Sequence, residues 1–148
     1  MTLERSDLLG TWALVRTYET IDGAETGKHP IGEGAGGVLH YMPDGRVAVL
    51  MANGGRGPVS KGRYDSGEQE TAESARTFTA YAGTWRIESD VLVHHLDLCL
   101  YQNDVGTDYV RHARLDGDRL TLSMPPVTTR KGQLQWHLEW SCASRFDG

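Results

Sequence analysis

The chain has 148 residues, 39% of them hydrophobic and 24% charged, which is the composition of one globular domain rather than of a disordered chain. Its net charge of −5 offers no basic surface for nucleic acid, and no run of about eighteen apolar residues is present to span a membrane. The first ten residues lack the basic start and apolar run of a secretory signal, and two cysteines make no disulfide framework, so a cytoplasmic protein is predicted.

The first part of the chain predicts short strands joined by glycine-rich turns. A strand is expected over residues 11–19. Because side chains alternate along a strand, one set of residues should share a face: Trp12, Leu14, Arg16 and Tyr18. The clearest hairpin joins residues 38–41 to residues 47–51 through the turn Pro43-Asp44-Gly45.

The middle of the chain predicts one helix after a loop over residues 52–67. Ser66 is a suitable N-cap residue, with Gln69 as its partner in a capping box. Three apolar residues then follow at a spacing of three and would form one stripe: Ala72, Ala75 and Phe78. The pattern predicts a helix over residues 67–79.

The rest of the chain is strand-like to its end. The expected strands cover residues 84–88, 91–101, 106–115, 119–124 and 133–144. Consecutive strands joined by short turns predict an all-β fold, an antiparallel up-and-down β-barrel of about eight strands with one short helix. The barrel should form a single domain over residues 1–148, and about eight strands leave room for one small ligand.

Several short motifs occur in a fixed order along nearly the whole chain. They are Leu9-Gly10-Thr11-Trp12, Gly37 to Tyr41 with Pro43-Asp44-Gly45, Tyr81 to Trp85, Val93 to Asp97, Asn103-x-Val105-Gly106-Thr107, Val110-Arg111 and Leu115 to Leu122. This series resembles the bacterial and fungal lipocalin-like domain family, whose first strand carries a Gly-x-Trp signature. The resemblance implies a calycin-type barrel with a cavity for a small molecule, and it leaves open whether the protein is a carrier or a cofactor-free enzyme.

One position departs from that family. Its members often end in a Trp followed by Glu-Arg, whereas here Trp140 is followed by Ser141-Cys142. The resemblance therefore does not by itself supply a basic residue that would close over Trp12.

The expected strand over residues 91–101 places a histidine among leucines. The following residues share one face and should point into the barrel: Leu92, His94, Leu96, Leu98 and Leu100. His94 is then either a general acid or base or a core histidine satisfied by the protein itself. On the other face, His95 and Asp97 meet solvent, an interface or the site.

Arg111 is expected on the inward face of the next strand, where a guanidinium needs a partner. It either forms a structural ion pair or stabilises a developing oxyanion. Aromatic and leucine side chains should line the cavity and bind the substrate, or simply pack the core. They are Tyr41, Tyr81, Trp85, Leu96, Leu98, Tyr109, Leu122 and Trp136.

These residues predict a cofactor-independent isomerase, cyclase or lyase acting on a small hydrophobic or amphipathic molecule. His94 would transfer protons and Arg111 would stabilise charge. A passive carrier and a filled barrel without a cavity are the alternatives, and a homodimer is one option for the assembly. No cofactor is expected, because a strand rather than a helix follows the Gly-x-Gly-x-x-Gly match at residues 32–37. No metal is expected either, because His95-x-Asp97 and His137-x-Glu139 have same-face spacing but no third ligand nearby in the sequence.

Overall fold

The computed structural model describes residues 2–146, which form a closed antiparallel β-barrel. In chain order the strands are β1 (Gly10–Ile21), β2 (Ala24–Glu25), β3 (Gly36–Tyr41), β4 (Arg46–Ala52), β5 (Phe78–Glu88), β6 (Val91–Cys99), β7 (Asp108–Asp116), β8 (Arg119–Ser123), β9 (Val127–Thr129) and β10 (Gly132–Arg145). The wall runs β1–β3–β4–β5–β6–β7–β8–β10, and β10 pairs with β1 to close it. The short strand β2 pairs with the end of β1, and the short strand β9 pairs with the start of β10. The predicted all-β barrel is confirmed.

Tight turns join neighbouring strands where the sequence offers glycine. Gly45 ends the turn between β3 and β4 with a φ of 89°, and Gly117 turns the chain between β7 and β8 with a φ of 59°. Positive φ values cost glycine little because it has no Cβ. These local signals explain why the hairpins form where the sequence predicts them.

The apolar core fills the barrel end at which β1 begins. A short helix, α1 (Arg5–Leu8), packs there, with Leu8 fully buried and its carbonyl accepting a 2.9 Å hydrogen bond from the Trp12 indole. The Arg145 guanidinium lies 5.8 Å from the centre of the Trp12 ring. Arg145 thus supplies the basic residue that the sequence directly after Trp140 lacks.

The second helix, α2 (Glu68–Arg76), is shorter than the predicted helix over residues 67–79. Its N-cap is Gly67, and the Ser66 hydroxyl instead donates to the Gly62 carbonyl at 3.2 Å, so the predicted cap is wrong. Phe78 belongs to β5, where it pairs with Ala52, because strand pairing outweighs the continuation of an exposed helix. No helix within residues 2–146 is long and apolar enough to cross a membrane.

A bulge in β6 overturns part of the predicted inward face. Ala82 pairs with Leu98 and Gly83 pairs with Leu96, so Asp97 is an extra residue on β6. A bulge of one residue moves every later side chain to the opposite face. Leu98 is therefore 70% exposed, and the prediction that it points into the barrel is wrong. Leu100 is likewise exposed, whereas Cys99 packs against the core.

A second bulge lies in β1. Leu14 pairs with Trp140 and Arg16 pairs with Glu139, which leaves Val15 without a partner. Trp12 is buried before the bulge and Thr17 is buried after it. The alternation predicted that Arg16 would share a face with Trp12, and this prediction is wrong. Arg16 instead forms a 2.8 Å ion pair with Glu25 outside the barrel.

Candidate functional site

A cavity of about 440 Å³ occupies the barrel end opposite α1. Its volume lies within the range of small-molecule sites. Most of its wall is apolar, and the side chains around it come from all eight barrel strands, the loop before β3 and the residue after β8. They are Thr17, Pro30, Ile31, Leu39, Val49, Met51, Thr79, Tyr81, His94, Tyr109, Arg111, Leu122, Met124, Trp136, His137, Leu138 and Trp140. The cavity contradicts the filled-barrel alternative.

The structure brings six of the predicted site residues to this wall: Tyr81, His94, Tyr109, Arg111, Leu122 and Trp136. Tyr41 and Leu96 are fully buried without lining it. Trp85 packs toward α1, where the Arg5 guanidinium lies 4.4 Å from its ring centre. Leu98 is outside the barrel. The prediction that Tyr41, Trp85 and Leu96 line the cavity is therefore wrong, because alternation gives a side chain's face but not its depth. The same prediction is wrong for Leu98 because the β6 bulge reverses its face.

His94 is held between two tyrosines. It is 1% exposed, its Nε2 lies 2.6 Å from the Tyr41 hydroxyl, and its Nδ1 lies 2.8 Å from the Tyr81 hydroxyl. Burial lowers the pKa of His94 from 6.5 to about 3, with a smaller contribution from the positive charge of Arg111. The imidazole is therefore neutral near pH 7, with one nitrogen donating a hydrogen bond and the other accepting one.

The surroundings of the two tyrosines assign these hydrogen bonds. Tyr41 is fully buried, and His94 Nε2 is the only partner of its hydroxyl within residues 2–146, so Tyr41 donates to Nε2. The His94 Nδ1–H then donates to the Tyr81 oxygen, which leaves the Tyr81 proton free to point into the cavity. Burial raises the pKa of both tyrosines, so both keep their protons. The chain Tyr41–His94–Tyr81 thus ends in a hydrogen-bond donor at the cavity wall.

Arg111 adds a positive charge beside this donor. Its Nη1 donates to the Val110 carbonyl at 2.9 Å, and its guanidinium lies 5.0 Å from the centre of the Tyr109 ring. No ion pair within residues 2–146 includes Arg111. The structural ion pair considered from sequence is therefore absent from the described part of the chain, and the charge can attract an anionic or carbonyl oxygen.

The Glu19 carboxylate, for which the sequence carries no signal, holds the Trp136 indole in position. The Trp136 indole N–H donates to Glu19 Oε2 at 3.0 Å, and the Thr26 hydroxyl donates to Glu19 Oε1 at 3.0 Å. The hydrogen bond from Trp136 is the main cause that lowers the pKa of Glu19. Glu19 turns inward only because of the bulge at Val15, so regular alternation from Trp12 gives no signal for it.

His95 and Asp97 lie on the outer surface, half-exposed. His95 Nδ1 lies 2.7 Å from Asp108 Oδ1, and Arg46 lies 3.0 Å from Asp97 Oδ2. These two residues therefore do not reach the cavity, and solvent and an interface stay the two alternatives for them. Within residues 2–146, no three His, Cys, Asp or Glu side chains group to hold a metal ion.

Comparison with known proteins agrees with this architecture. Residues 9–143 match the model of a family described as a lipocalin-like domain. No curated protein matches the chain. The family match covers the whole barrel wall, from β1 nearly to the end of β10. The chain therefore belongs to the family of lipocalin-like domains.

Proposed function

We propose that this barrel is a cofactor-independent isomerase, cyclase or lyase that acts on a small, mainly apolar molecule bearing an oxygen function. The observation that carries the proposal is the Tyr41–His94–Tyr81 chain, which ends beside Arg111 on the wall of an otherwise apolar cavity. Reactions of these classes that begin by removing a proton beside a carbonyl group develop negative charge on the carbonyl oxygen. A hydrogen-bond donor and a cation that are already in place stabilise such charge most strongly in a site that excludes water.

In this proposal each residue has a distinct role. Tyr81 donates its hydrogen bond to the substrate oxygen, and Arg111 stabilises the negative charge that develops there. Both nitrogens of His94 are bonded to tyrosines, so direct removal of a substrate proton by His94 would break one of these bonds. His94 acts instead as a positioning residue, which holds the Tyr81 hydroxyl toward the cavity and donates to its oxygen.

Deuterium exchange tests catalysis without knowledge of the natural substrate. The compound 2-tetralone is a small apolar ketone whose α-hydrogens exchange through an enolate. A hydroxide ion from the solvent takes the α-proton, Tyr81 and Arg111 stabilise the enolate oxygen, and NMR in D₂O follows the return of deuterium to the α-carbon. The wild-type protein should accelerate exchange, and Tyr81→Phe should lose about 10²-fold, the usual cost of removing one oxyanion donor. Thr121→Val, a substitution outside the cavity, is the matched control. If the wild-type protein binds 2-tetralone and does not accelerate its deuterium exchange, the proposed catalytic function is refuted.

Binding of an anion tests Arg111 separately. Arg111→Met should weaken binding of 2-naphthoate by roughly tenfold or more, because a charge-assisted hydrogen bond is lost. Arg114→Met on the same strand is the control, since Arg114 does not line the cavity. Equal affinities of the two variants, measured by calorimetry, would contradict the role of Arg111.

A carrier of a small apolar ligand is the second candidate. It is favoured by the satisfaction of both His94 nitrogens within the protein, an arrangement that a purely structural histidine also shows. A carrier would bind 2-tetralone and leave its exchange rate unchanged, so the same experiment separates the two functions.

A further inference from the structure

The bulge at Val15 brings a hydroxyl group to the cavity. In the absence of this extra residue, Thr17 would lie on the outer face of β1, opposite to Trp12. With the bulge, Thr17 is 2% exposed and lines the cavity. Bulges of this kind re-aim side chains and are frequent beside functional sites.

Two polar groups of the cavity wall have no hydrogen-bond partner within residues 2–146. They are the Thr17 hydroxyl and the Trp140 indole N–H, each buried from solvent. The other buried polar side chains of this wall are paired, as with His94 and Tyr81. An unpaired buried polar group costs free energy, so these two exceptions call for a partner. An indole N–H can only donate, and a hydroxyl can both donate and accept, so the partner they fit is an oxygen atom.

These two groups lie across the cavity from the tyrosine–histidine chain. In the closed order of eight strands, β1 is four strands away from β6, and β10 is four strands away from β5. The strand that carries Thr17 therefore stands opposite the strand that carries His94, and the strand that carries Trp140 stands opposite the strand that carries Tyr81. The space between them is walled by aliphatic side chains, among them Leu39, Val49 and Leu138.

We infer that the ligand of this cavity carries two oxygen functions at opposite ends of a rigid apolar frame. One oxygen, carbonyl or anionic, meets Tyr81 and Arg111, and the second, a hydroxyl or carbonyl, meets Thr17 and Trp140. The substrate class is that of hydroxylated or oxidised aromatic and polycyclic carbonyl compounds. This inference rests on the proposed function only for the ligand oxygen that meets Tyr81 and Arg111. The site for the other ligand oxygen is defined independently by Thr17 and Trp140.

Two matched probes test the proposed site for the second ligand oxygen at Thr17 and Trp140. The compound 2-naphthoate carries one oxygen function, and 6-hydroxy-2-naphthoate adds a hydroxyl at the far end of the same ring system. Calorimetry should show that the wild-type protein binds the hydroxylated probe about three- to tenfold more tightly, as expected of one added hydrogen bond. Thr17→Val and Trp140→Phe should each reduce that preference, which is read as the ratio of the two affinities in the same variant, so that changes in contacts with the shared ring system cancel.

Further variants separate the possible results. Thr17→Ser keeps the hydroxyl and should keep the preference, and Thr121→Val, outside the cavity, should do the same. If the wild-type protein binds both probes equally and Thr17→Val changes neither affinity, the second oxygen site is refuted and the proposed function stands. If a preference for the hydroxylated probe survives both Thr17→Val and Trp140→Phe, the inference is likewise wrong. If neither probe binds, the oxygen-binding site of the proposed function fails and this inference fails with it.

Discussion

The burial of His94 should make the stability of this protein fall in acid. Its pKa is lowered from 6.5 to about 3 in the folded state, because burial disfavours the charged imidazolium. Below pH 6.5 the unfolded chain binds a proton that the folded protein cannot accept. The contribution of a neutral His94 is therefore complete above pH 6.5 and is lost progressively as the pH falls toward 3.

The size of this effect follows from the structure. At pH 4.5, about two units below the pKa of the unfolded chain, the loss is about 2.7 kcal/mol at roughly 1.4 kcal/mol per unit. The result hardly depends on the folded-state value, provided that this value lies well below 4.5. In His94→Gln no imidazole titrates at this position, so the stability difference between wild type and variant should shrink by the same amount between about pH 8 and 4.5. The effects of other titrating groups cancel in that difference.

Urea unfolding followed by tryptophan fluorescence provides the measurement. Tyr41→Phe is the matched control, because it removes a buried hydrogen bond and leaves His94 in place. The free energy of unfolding of Tyr41→Phe should be about 1–3 kcal/mol lower than that of the wild type at pH 8, and it should depend on pH as the wild-type value does. A stability difference between wild type and His94→Gln that stays constant from pH 8 to pH 4.5 would refute the neutral, buried His94.

Two further predictions concern the barrel itself. Gly83→Ala should lower the melting temperature by several degrees or prevent folding, because an added Cβ would lie 1.7 Å from the His95 carbonyl oxygen at the β6 bulge. Gly57→Ala, which meets nothing within 4 Å, should leave the melting temperature unchanged, and equal melting temperatures for the two variants would contradict the bulge. Arg145→Met should destabilise the protein by about 0.5–1 kcal/mol, because it removes the cation near Trp12 together with the contacts to the Asp7 carbonyl and Asp118. Arg145→Lys keeps the positive charge and should retain part of that stability. Equal unfolding free energies for both variants would argue against a contribution from the charge.

The sequence alone predicts the barrel and the position of most strands. The reason is that turn residues and strand alternation act locally: Pro43-Asp44-Gly45 determines a hairpin whatever surrounds it. The helix was predicted correctly in place but extended too far, because Phe78 satisfies its backbone by pairing with Ala52 across the sheet. That pairing is a property of two segments and is not visible in either one.

Some features of the candidate site are likewise predictable from the sequence, and others are decided only by the tertiary structure. The position of His94 among leucines and the aromatic character of Tyr81 and Trp136 are properties of the sequence itself. Only the tertiary structure decided that Tyr41 and Tyr81, which lie 53 and 13 residues away from His94, bond its two nitrogens. Only the pairing of neighbouring strands placed the two bulges, which turned Leu98 outward and Thr17 inward. Alternation follows from the geometry of one strand, whereas register, depth and hydrogen-bond partners follow from how separate strands close around a common cavity.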